Sequence, residues 1–366
     1  MTENFENKIS RLELTNFTCF SEVSFEFSSG INVFIGENGT GKTHILKSMF
    51  SLLKKHYESD IWYAEENEDE KVKLQKVILS ASIERNFKEI FKCYESTKTL
   101  IRQGANKFQI SAFFNDKKVG YFHNVISDSS EKLGLNENSN PFISRNMLYL
   151  PPNEMISWSK GFINLYQNKE VGFEKIYYDL ALALDGPLLR NGAKEEAEKL
   201  LSEIKTALDI DVEKKDGQYL IKYKNNAAIN AAMNATGINK LAQIIYLIMN
   251  GSLTKDSILF WNEPEANLNP KYISLVAKFL QTLSKAGVQI FVATHDYLLI
   301  HQLSLAAEYR EQTDAPAMRF FSLQKDENGT IVESGDTLVE INNNAILDEY
   351  AAFYDLESSL FAKSRK

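Results

Sequence analysis

The stretch Gly36-Glu-Asn-Gly-Thr-Gly-Lys-Thr43 decides the fold of this chain of 366 residues. It follows the apolar run Ile31–Ile35, which predicts a buried strand, and it precedes a helical pattern from about Lys42 to Lys55. A glycine-rich loop that joins a strand to a helix and ends in Lys-Thr is the P-loop pattern. Together with the repeated strand-then-helix order that follows, it predicts an α/β fold with a mixed sheet and helices on both faces.

The loop predicts the cofactors of the chain. Its glycines let backbone N–H groups wrap around phosphates at the positive end of the following helix. Lys42 is expected to reach the β- and γ-phosphates of ATP, and the Thr43 hydroxyl is expected to bind Mg²⁺. The predicted nucleotide contacts are all eight loop residues: Gly36, Glu37, Asn38, Gly39, Thr40, Gly41, Lys42 and Thr43.

Two further polar motifs follow apolar strands. The segment Ser257–Pro270 (SILFWNEPEANLNP) has the Walker B layout, in which Glu263 can orient and polarise an attacking water. His295 follows the mostly apolar run Val288–Ala293, with Thr294 between them. A lone histidine at a strand end is more often structural, but the order of the three motifs favours a contact between His295 and the γ-phosphate.

A fourth motif opens the helix before the Walker B strand. Thr236 and Gly237 would present a hydroxyl, backbone N–H groups and a helix N-terminus to the γ-phosphate of an opposite subunit. An alternative is that Thr236 only caps the helix by accepting from its first turn.

These motifs together resemble the RecF/SMC/OLD-like ABC-type ATPases of prokaryotes, which include DNA-repair and phage-defence proteins. The resemblance implies a P-loop ATPase of the ABC type that closes a head-to-tail dimer around ATP. In that dimer Lys42, Thr43 and Glu263 of one subunit would face Thr236 and Gly237 of the other. The segments that carry the resemblance span nearly the whole chain in the family order: Leu14–Phe20, Gly36–Thr43, Tyr149–Glu154, Ala235–Lys240, Phe260–Pro270 and Ala293–Asp296.

The chain departs from the family pattern at two metal positions. Asn262 stands where the family has the Walker B aspartate, so one carbonyl acceptor is kept and the negative charge is lost. No glutamine follows Tyr149-Leu-Pro-Pro, and either Asn153 or Glu154 would replace the family's glutamine as a contact to metal-bound water. Thr43, Asn262 and Glu154 are therefore the predicted metal residues, with ATP turnover expected to be impaired.

We expect three parts in the chain. Residues 1–150 form a nucleotide-binding lobe with an inserted antiparallel arm at about 60–140. Residues 151–235 form a helical lid, and 236–366 complete the ATPase core. Within the arm, the sequence predicts a solvated loop over the acidic run Glu65–Lys71 and a strand over about Val72–Ser82.

Composition narrows the function classes. Two cysteines without a CxxC pair, and no apolar stretch long enough to span a bilayer, predict a cytoplasmic protein without a membrane partner. We expect a homodimer or higher homo-oligomer that acts as an ATP-gated switch with a separate effector, such as a nuclease, in anti-phage defence.

Three other functions stay open. One is a RecF-like repair protein that binds DNA directly, another is a transporter ATPase subunit, and a third is a scaffold that binds ATP without useful turnover. The net charge is −8, so direct DNA binding would need a local basic face. Only scattered basic residues suggest one: Arg85, Lys88, Lys92, Lys98, Arg102 and Lys107.

Overall fold

A computed structural model describes residues 8–54, 68–114, 117–127, 130–135, 146–224, 227–327 and 329–364. The strands are β1 Ile9–Phe17, β2 Phe20–Glu26, β3 Ile31–Gly36, β4 Lys107–Phe114, β5 Lys117–Ser127, β6 Ser130–Leu135, β7 Met147–Leu150, β8 Ile210–Lys215, β9 Gln218–Tyr223, β10 Ile229–Asn230, β11 Ile258–Asn262, β12 Gln289–Ala293, β13 Met318–Asp326 and β14 Gly329–Gly335. The helices are α1 Lys42–Leu53, α2 Glu68–Phe91, α3 Phe162–Gln167, α4 Lys175–Asp185, α5 Asn191–Leu208, α6 Thr236–Met249, α7 Pro270–Lys285, α8 Tyr297–Glu308, α9 Arg310–Thr313 and α10 Ala345–Ser364.

The central sheet has the strand order β14-β13-β3-β12-β11-β7. Its strands run parallel except at the β13–β14 edge, so the sheet is mixed, as the sequence predicts. Strands β3, β11 and β12 are buried along their whole length, which is typical of parallel strands covered on both faces. Parallel pairing brings the carboxyl-terminal ends of β3, β11 and β12 to the same end of the sheet. The P-loop, the Walker B segment and His295 follow these strand ends.

A second, antiparallel sheet has the order β2-β1-β4-β5-β6 and lies against the first. A cluster of phenylalanine side chains fills the space between them. Phe27 packs edge-on to Phe291 with ring centroids 4.9 Å apart, and Phe34 stacks on Phe321 at 5.1 Å. The antiparallel strands expected within residues 60–140 are therefore found as β4–β6, which extend the sheet that begins with β1 and β2.

The strand predicted over Val72–Ser82 is wrong, because this segment belongs to helix α2. The buried side chains Ile83, Phe87 and Ile90 recur three and four residues apart, which is the spacing of one helix face. The predicted acidic loop is also partly wrong. Residues 65–67 lie outside the described ranges, but 68–71 belong to helix α2.

The segment after β7 contains helices α3–α5 and a small sheet of the order β10-β9-β8. The β8–β9 hairpin is paired from Ile210↔Tyr223 to Lys215↔Gln218, and its turn at Asp216-Gly217 is where the sequence indicates one. Apolar residues of α4, α5 and α6 share one core with the central sheet. The lobe boundaries at 150 and 235 remain predictions.

Helix α10 leaves the body of the molecule. Ile346 and Leu347 pack against the core, but every residue from Asp348 to Ser364 is exposed. The exposed residues include Tyr350, Phe353, Tyr354, Leu356, Leu360 and Phe361. None of the helices in the described ranges is long and apolar enough to cross a membrane.

Candidate nucleotide-binding site

The loop Gly36–Thr43 has a backbone that only glycine permits at two positions. Gly36 has φ +140°, and a Cβ atom there would lie 2.2 Å from the carbonyl oxygen of Leu323. Gly41 has φ +100°, and its Cβ would lie 2.6 Å from the Cys19 sulfur. The next residue starts helix α1, whose N-terminus has no side-chain cap. Its first N–H groups are therefore available to an anion.

The side chain of Lys42 lies inside this loop and donates to its backbone. Its Nζ donates to the carbonyl oxygens of Gly36 at 2.6 Å and Glu37 at 2.8 Å. Burial lowers the pKa of Lys42, against the opposing effects of Glu263, Glu265 and Glu37. The ammonium group thus lies inside the loop and beside carboxylates, at the place where phosphates would bind.

Thr43 and Asn262 meet at the start of α1 and the end of β11. The Thr43 hydroxyl donates to the Asn262 Oδ1 at 3.1 Å, and Asn262 is buried. Both line a cavity of about 420 Å³ that also contains Tyr149. The buried Tyr149 hydroxyl has no hydrogen-bond partner in the described part of the chain. Hard oxygen donors beside a P-loop fit Mg²⁺ and its water shell.

Glu263 follows with a strained backbone. It has φ +50°, which is rare for a residue with a side chain, and its N–H donates to Ala293 O at 2.8 Å. This bond ties the turn after β11 to the end of β12, and it sets Glu263 beside the segment that leads to His295. The strained turn therefore joins two of the predicted catalytic positions.

Lys240 donates hydrogen bonds to the backbone of the turn that contains Glu263. It is buried on helix α6, and its Nζ donates to the carbonyl oxygens of Glu263 at 2.8 Å and Ala266 at 3.0 Å. Burial lowers the pKa of Lys240 to about 8, although Glu265, Glu263 and Glu154 oppose the shift. Sequence reasoning assigned Lys240 no role. The available signal was that it is the only charged residue in an otherwise uncharged helix.

Thr236 and Gly237 begin the same helix, at its exposed end. The cap residue is Ala235, and no side chain caps the helix, so the alternative of Thr236 as N-cap is wrong. Thr236 is exposed. Gly237 is buried against the segment after β11, because a Cβ there would lie 2.4 Å from Asn267 O. The helix N-terminus therefore presents an exposed hydroxyl and uncapped N–H groups.

Glu154 is engaged away from Thr43 and Asn262. Its carboxylate accepts from the Ser157 hydroxyl at 2.5 Å and from the Asn239 amide at 3.4 Å. It does not line the cavity that Thr43 and Asn262 share. The structure thus brings together Thr43 and Asn262 but not Glu154. Asn153, the alternative, is exposed and hydrogen bonds with Tyr177, which lines that cavity.

A family model described as AAA domain (AAA_23) matches residues 11–245, well over half of the chain. The chain belongs to this AAA domain family. The matched part of this AAA-domain chain includes the P-loop and Thr236-Gly237, and it ends before Asn262.

Curated relatives of this AAA-domain protein match over a short stretch. The DNA replication and repair protein RecF of Streptococcus suis (strain 05ZYH33) is 48% identical over 44 residues, which is 12% of each chain. RecF of Clostridium novyi (strain NT) is 50% identical over 50 residues, 13% of this chain and 14% of that one. The matches thus cover a small fraction of the RecF proteins.

Solved structures share the fold of the AAA-domain chain over most of its length. The SmcHead bound to the C-winged helix domain of ScpA has a TM-score of 0.52 at 15% identity, covering 89% of this chain and 97% of that one. The Smc head domain with an extended coiled coil, derived from Pyrococcus furiosus, has a TM-score of 0.50 at 14% identity, covering 94% and 99%. The RecF/SMC-like ABC-type ATPase resemblance and the predicted fold are confirmed.

Proposed function

We propose that this AAA-domain protein binds ATP with Mg²⁺ and hydrolyses it slowly, and that bound ATP closes a dimer. The observation that carries the proposal is the meeting of three strand ends at one sheet edge. The neighbouring strands β3, β12 and β11 pair in parallel. The loop with Lys42 and Thr43 follows β3, His295 follows β12, and Asn262 and Glu263 lie at the end of β11. The uncapped N-terminus of α1 adds backbone donors for the phosphates.

Each residue has a chemical task in this proposal. Lys42 and the loop N–H groups hold the phosphates, while Glu263 polarises the attacking water. Thr43 and Asn262 would hold Mg²⁺ and its water, and the bound ion would neutralise phosphate charge. Because Asn262 carries no charge, its hold on the ion is weaker than that of an aspartate, which supports slow turnover.

Calorimetry with ATP and Mg²⁺ tests the binding site. We expect Lys42→Ala to remove measurable binding, since the lysine lies inside the loop. Lys255→Ala is the control, because Lys255 is exposed in the turn before β11. Equal affinity of the Lys42→Ala variant and the unmodified chain would overturn the site assignment.

The exposed start of α6 supports the dimer. A hydroxyl and uncapped N–H groups at a helix N-terminus form an anion site, and here the side chain of Thr236 is exposed. Light scattering with a non-hydrolysable ATP analogue should show a dimer. Thr236→Asp should prevent it by placing a negative charge before the partner's γ-phosphate. Thr206→Asp, on the exposed face of α5, controls for added charge. Dimerisation that survives Thr236→Asp contradicts the proposed contact of Thr236 and Gly237 with the partner's γ-phosphate.

The exposed side chains of helix α10 favour binding to a protein partner. In an ATP-driven switch of anti-phage defence, that partner would be the effector. Six large aromatic or apolar side chains of this one helix are exposed, whereas single scattered ones are usual on a protein surface. An effector candidate should bind the chain and lose affinity with Tyr354→Glu and Phe361→Glu. Unchanged affinity in both variants would separate α10 from effector binding.

Direct DNA binding is the second candidate, and the RecF sequence matches favour it. The basic residues of α2 give it little support, because Arg85 pairs with Glu89 at 3.1 Å and Lys88 with Glu84 at 2.7 Å. Binding to duplex DNA that weakens steeply with salt would favour this candidate, since phosphate contacts release counterions. No binding at low salt would exclude it.

A further inference from the structure

Glu265 is a buried carboxylate for which the proposed ATP chemistry has no use. It follows Glu263 by two residues, and only 7% of its side chain is exposed. Its Oε1 accepts from the backbone N–H of His295 at 3.2 Å. Its Oε2 is buried without a hydrogen-bond partner among the described residues.

The same Oε1 also faces the imidazole ring of His295. The distance from Oε1 to His295 Nδ1 is 3.6 Å, slightly longer than a hydrogen bond. Such contacts commonly shorten when a site closes on its substrate. Half of the His295 side chain is exposed, while Glu265 is enclosed. Because Nδ1 is the ring nitrogen that faces Glu265, Nε2 is the nitrogen left for another partner.

Packing alone does not account for this carboxylate. Burial raises the pKa of Glu265, against hydrogen bonds from its own backbone N–H, the side chain of Thr294 and the backbone of His295. A buried carboxylate that leaves one oxygen unpaired is unfavourable for folding. A glutamine of the same shape would accept equally well from the His295 N–H. What the carboxylate adds is a negative charge, which faces Nδ1 of His295 and also acts on the buried ammonium groups of Lys42 and Lys240.

We propose that Glu265 is a positioning residue that orients His295 through Nδ1, so that Nε2 is presented to the γ-phosphate. A carboxylate at one ring nitrogen fixes which nitrogen carries the proton and how the ring is turned. In the protonated ring Nδ1–H donates to Oε1, and Nε2–H is left for a phosphate oxygen. This role rests on the proposed ATPase function, but the state of the ring exists without nucleotide.

The first experiment is a double-mutant cycle on ATP turnover. We expect Glu265→Gln to lower kcat on the order of ten-fold with KM for ATP nearly unchanged, because the loop that binds ATP is untouched. In a His295→Ala background the same substitution should have no further effect. Asp296→Asn is the control, since Asp296 caps α8 through Oδ1 at 2.7 Å from Leu299 N. An equal loss in both backgrounds would show that Glu265 does not act through His295.

The second experiment reads the ring directly by ¹⁵N NMR of labelled histidine, with His295→Ala identifying its signals among the five histidines. In the neutral ring the unmodified chain should carry the proton on Nδ1, and Glu265→Gln should shift it towards Nε2. A neutral ring with its proton on Nε2 in the unmodified chain overturns the positioning role, whether or not any variant folds. Absence of ATP turnover with the expected tautomer would instead refute only the proposed ATPase.

Discussion

The Nζ of Lys240 lies 2.8 Å from the carbonyl oxygen of Glu263, so the helix that begins at Thr236 directly supports the strained turn of the proposed general base. This contact joins two motifs that serve opposite subunits in the proposed dimer. A shift of α6 at the interface would therefore move the backbone of Glu263 in the same chain.

Lys240→Met should lower both stability and ATP turnover. The part-buried carbonyl oxygen of Ala266 would lose its lysine donor, at a cost of about 1–3 kcal/mol for an unsatisfied group. The carbonyl oxygen of Glu263 would keep only the backbone N–H of Ala266, at 3.1 Å. The matched control is Lys54→Met, because Lys54 is another lysine that donates to a backbone carbonyl, Met147 O at 2.9 Å, away from the site. Thermal unfolding should detect a loss of stability in both variants, whereas phosphate release should fall only in Lys240→Met. If both variants keep full turnover, Lys240 is purely structural.

Stability should depend on pH through the same lysine. Burial lowers the pKa of Lys240 from its ordinary value of 10.5 to about 8. Between these values the unfolded chain binds more protons than the folded chain, so the free energy of unfolding gains from this group as pH rises. Below about pH 8 the cost of burying the charge is fully present. Denaturant unfolding of the unmodified chain and of Lys240→Met should therefore diverge from pH 8 upward, and parallel curves would contradict the lowered pKa.

Gly36→Ala should abolish ATP binding and destabilise the chain by about 1–3 kcal/mol or more. The new Cβ would meet Leu323 O at 2.2 Å, at a φ of +140°. Gly104→Ala separates the two causes, since Gly104 also has a positive φ (+86°) but no atom within 4 Å of a Cβ. Calorimetry and thermal unfolding of both variants measure the difference. Similar losses in the two would show that backbone strain, and not the close contact, determines the effect.

The sequence predicted the parts of the site that are contiguous. The P-loop, the Walker B segment and His295 each follow an apolar strand. The identity of each motif and the order of the three can therefore be recognised in the sequence. Parallel pairing then implied that they share one sheet edge. The arrangement of α2 was missed, because Val77, Ile78 and Leu79 in a row favour a strand locally, while the tertiary contacts of Ile83 and Phe87 select a helix.

The supporting residues could not be predicted because their partners are distant in sequence. Lys240 acts on a turn 23 to 26 residues later, and Glu265 on a histidine 30 residues later. Glu154 shows the opposite case. Its place after the prolines suggested a metal contact, but the local bond to Ser157 and the distant Asn239 engage its carboxylate.

The last prediction concerns Asn262→Asp, which should raise ATP turnover. Asn262 is buried, and its Oδ1 lies 3.1 Å from the Thr43 hydroxyl, so an aspartate of the same shape would place its charge beside the expected ion. A charge-assisted hydrogen bond is worth roughly 1.5–3 kcal/mol. Turnover should then rise on the order of ten- to a hundred-fold. Phosphate release at saturating ATP and Mg²⁺ measures the gain.

Glu263→Gln in the Asn262→Asp background is the control that ties this gain to the attacking water. It should return phosphate release to the level of the unmodified chain or below, because the charge at 262 acts on the ion and cannot replace a base. The Mg²⁺ concentration that gives half-maximal turnover should also fall in Asn262→Asp, since the added charge strengthens the hold on the ion. If the unmodified chain already matches Asn262→Asp in both quantities, the carboxylate is dispensable. The Tyr149 hydroxyl, which lies buried without a partner in the described chain and belongs to a side chain lining the same cavity, is then the group to substitute next.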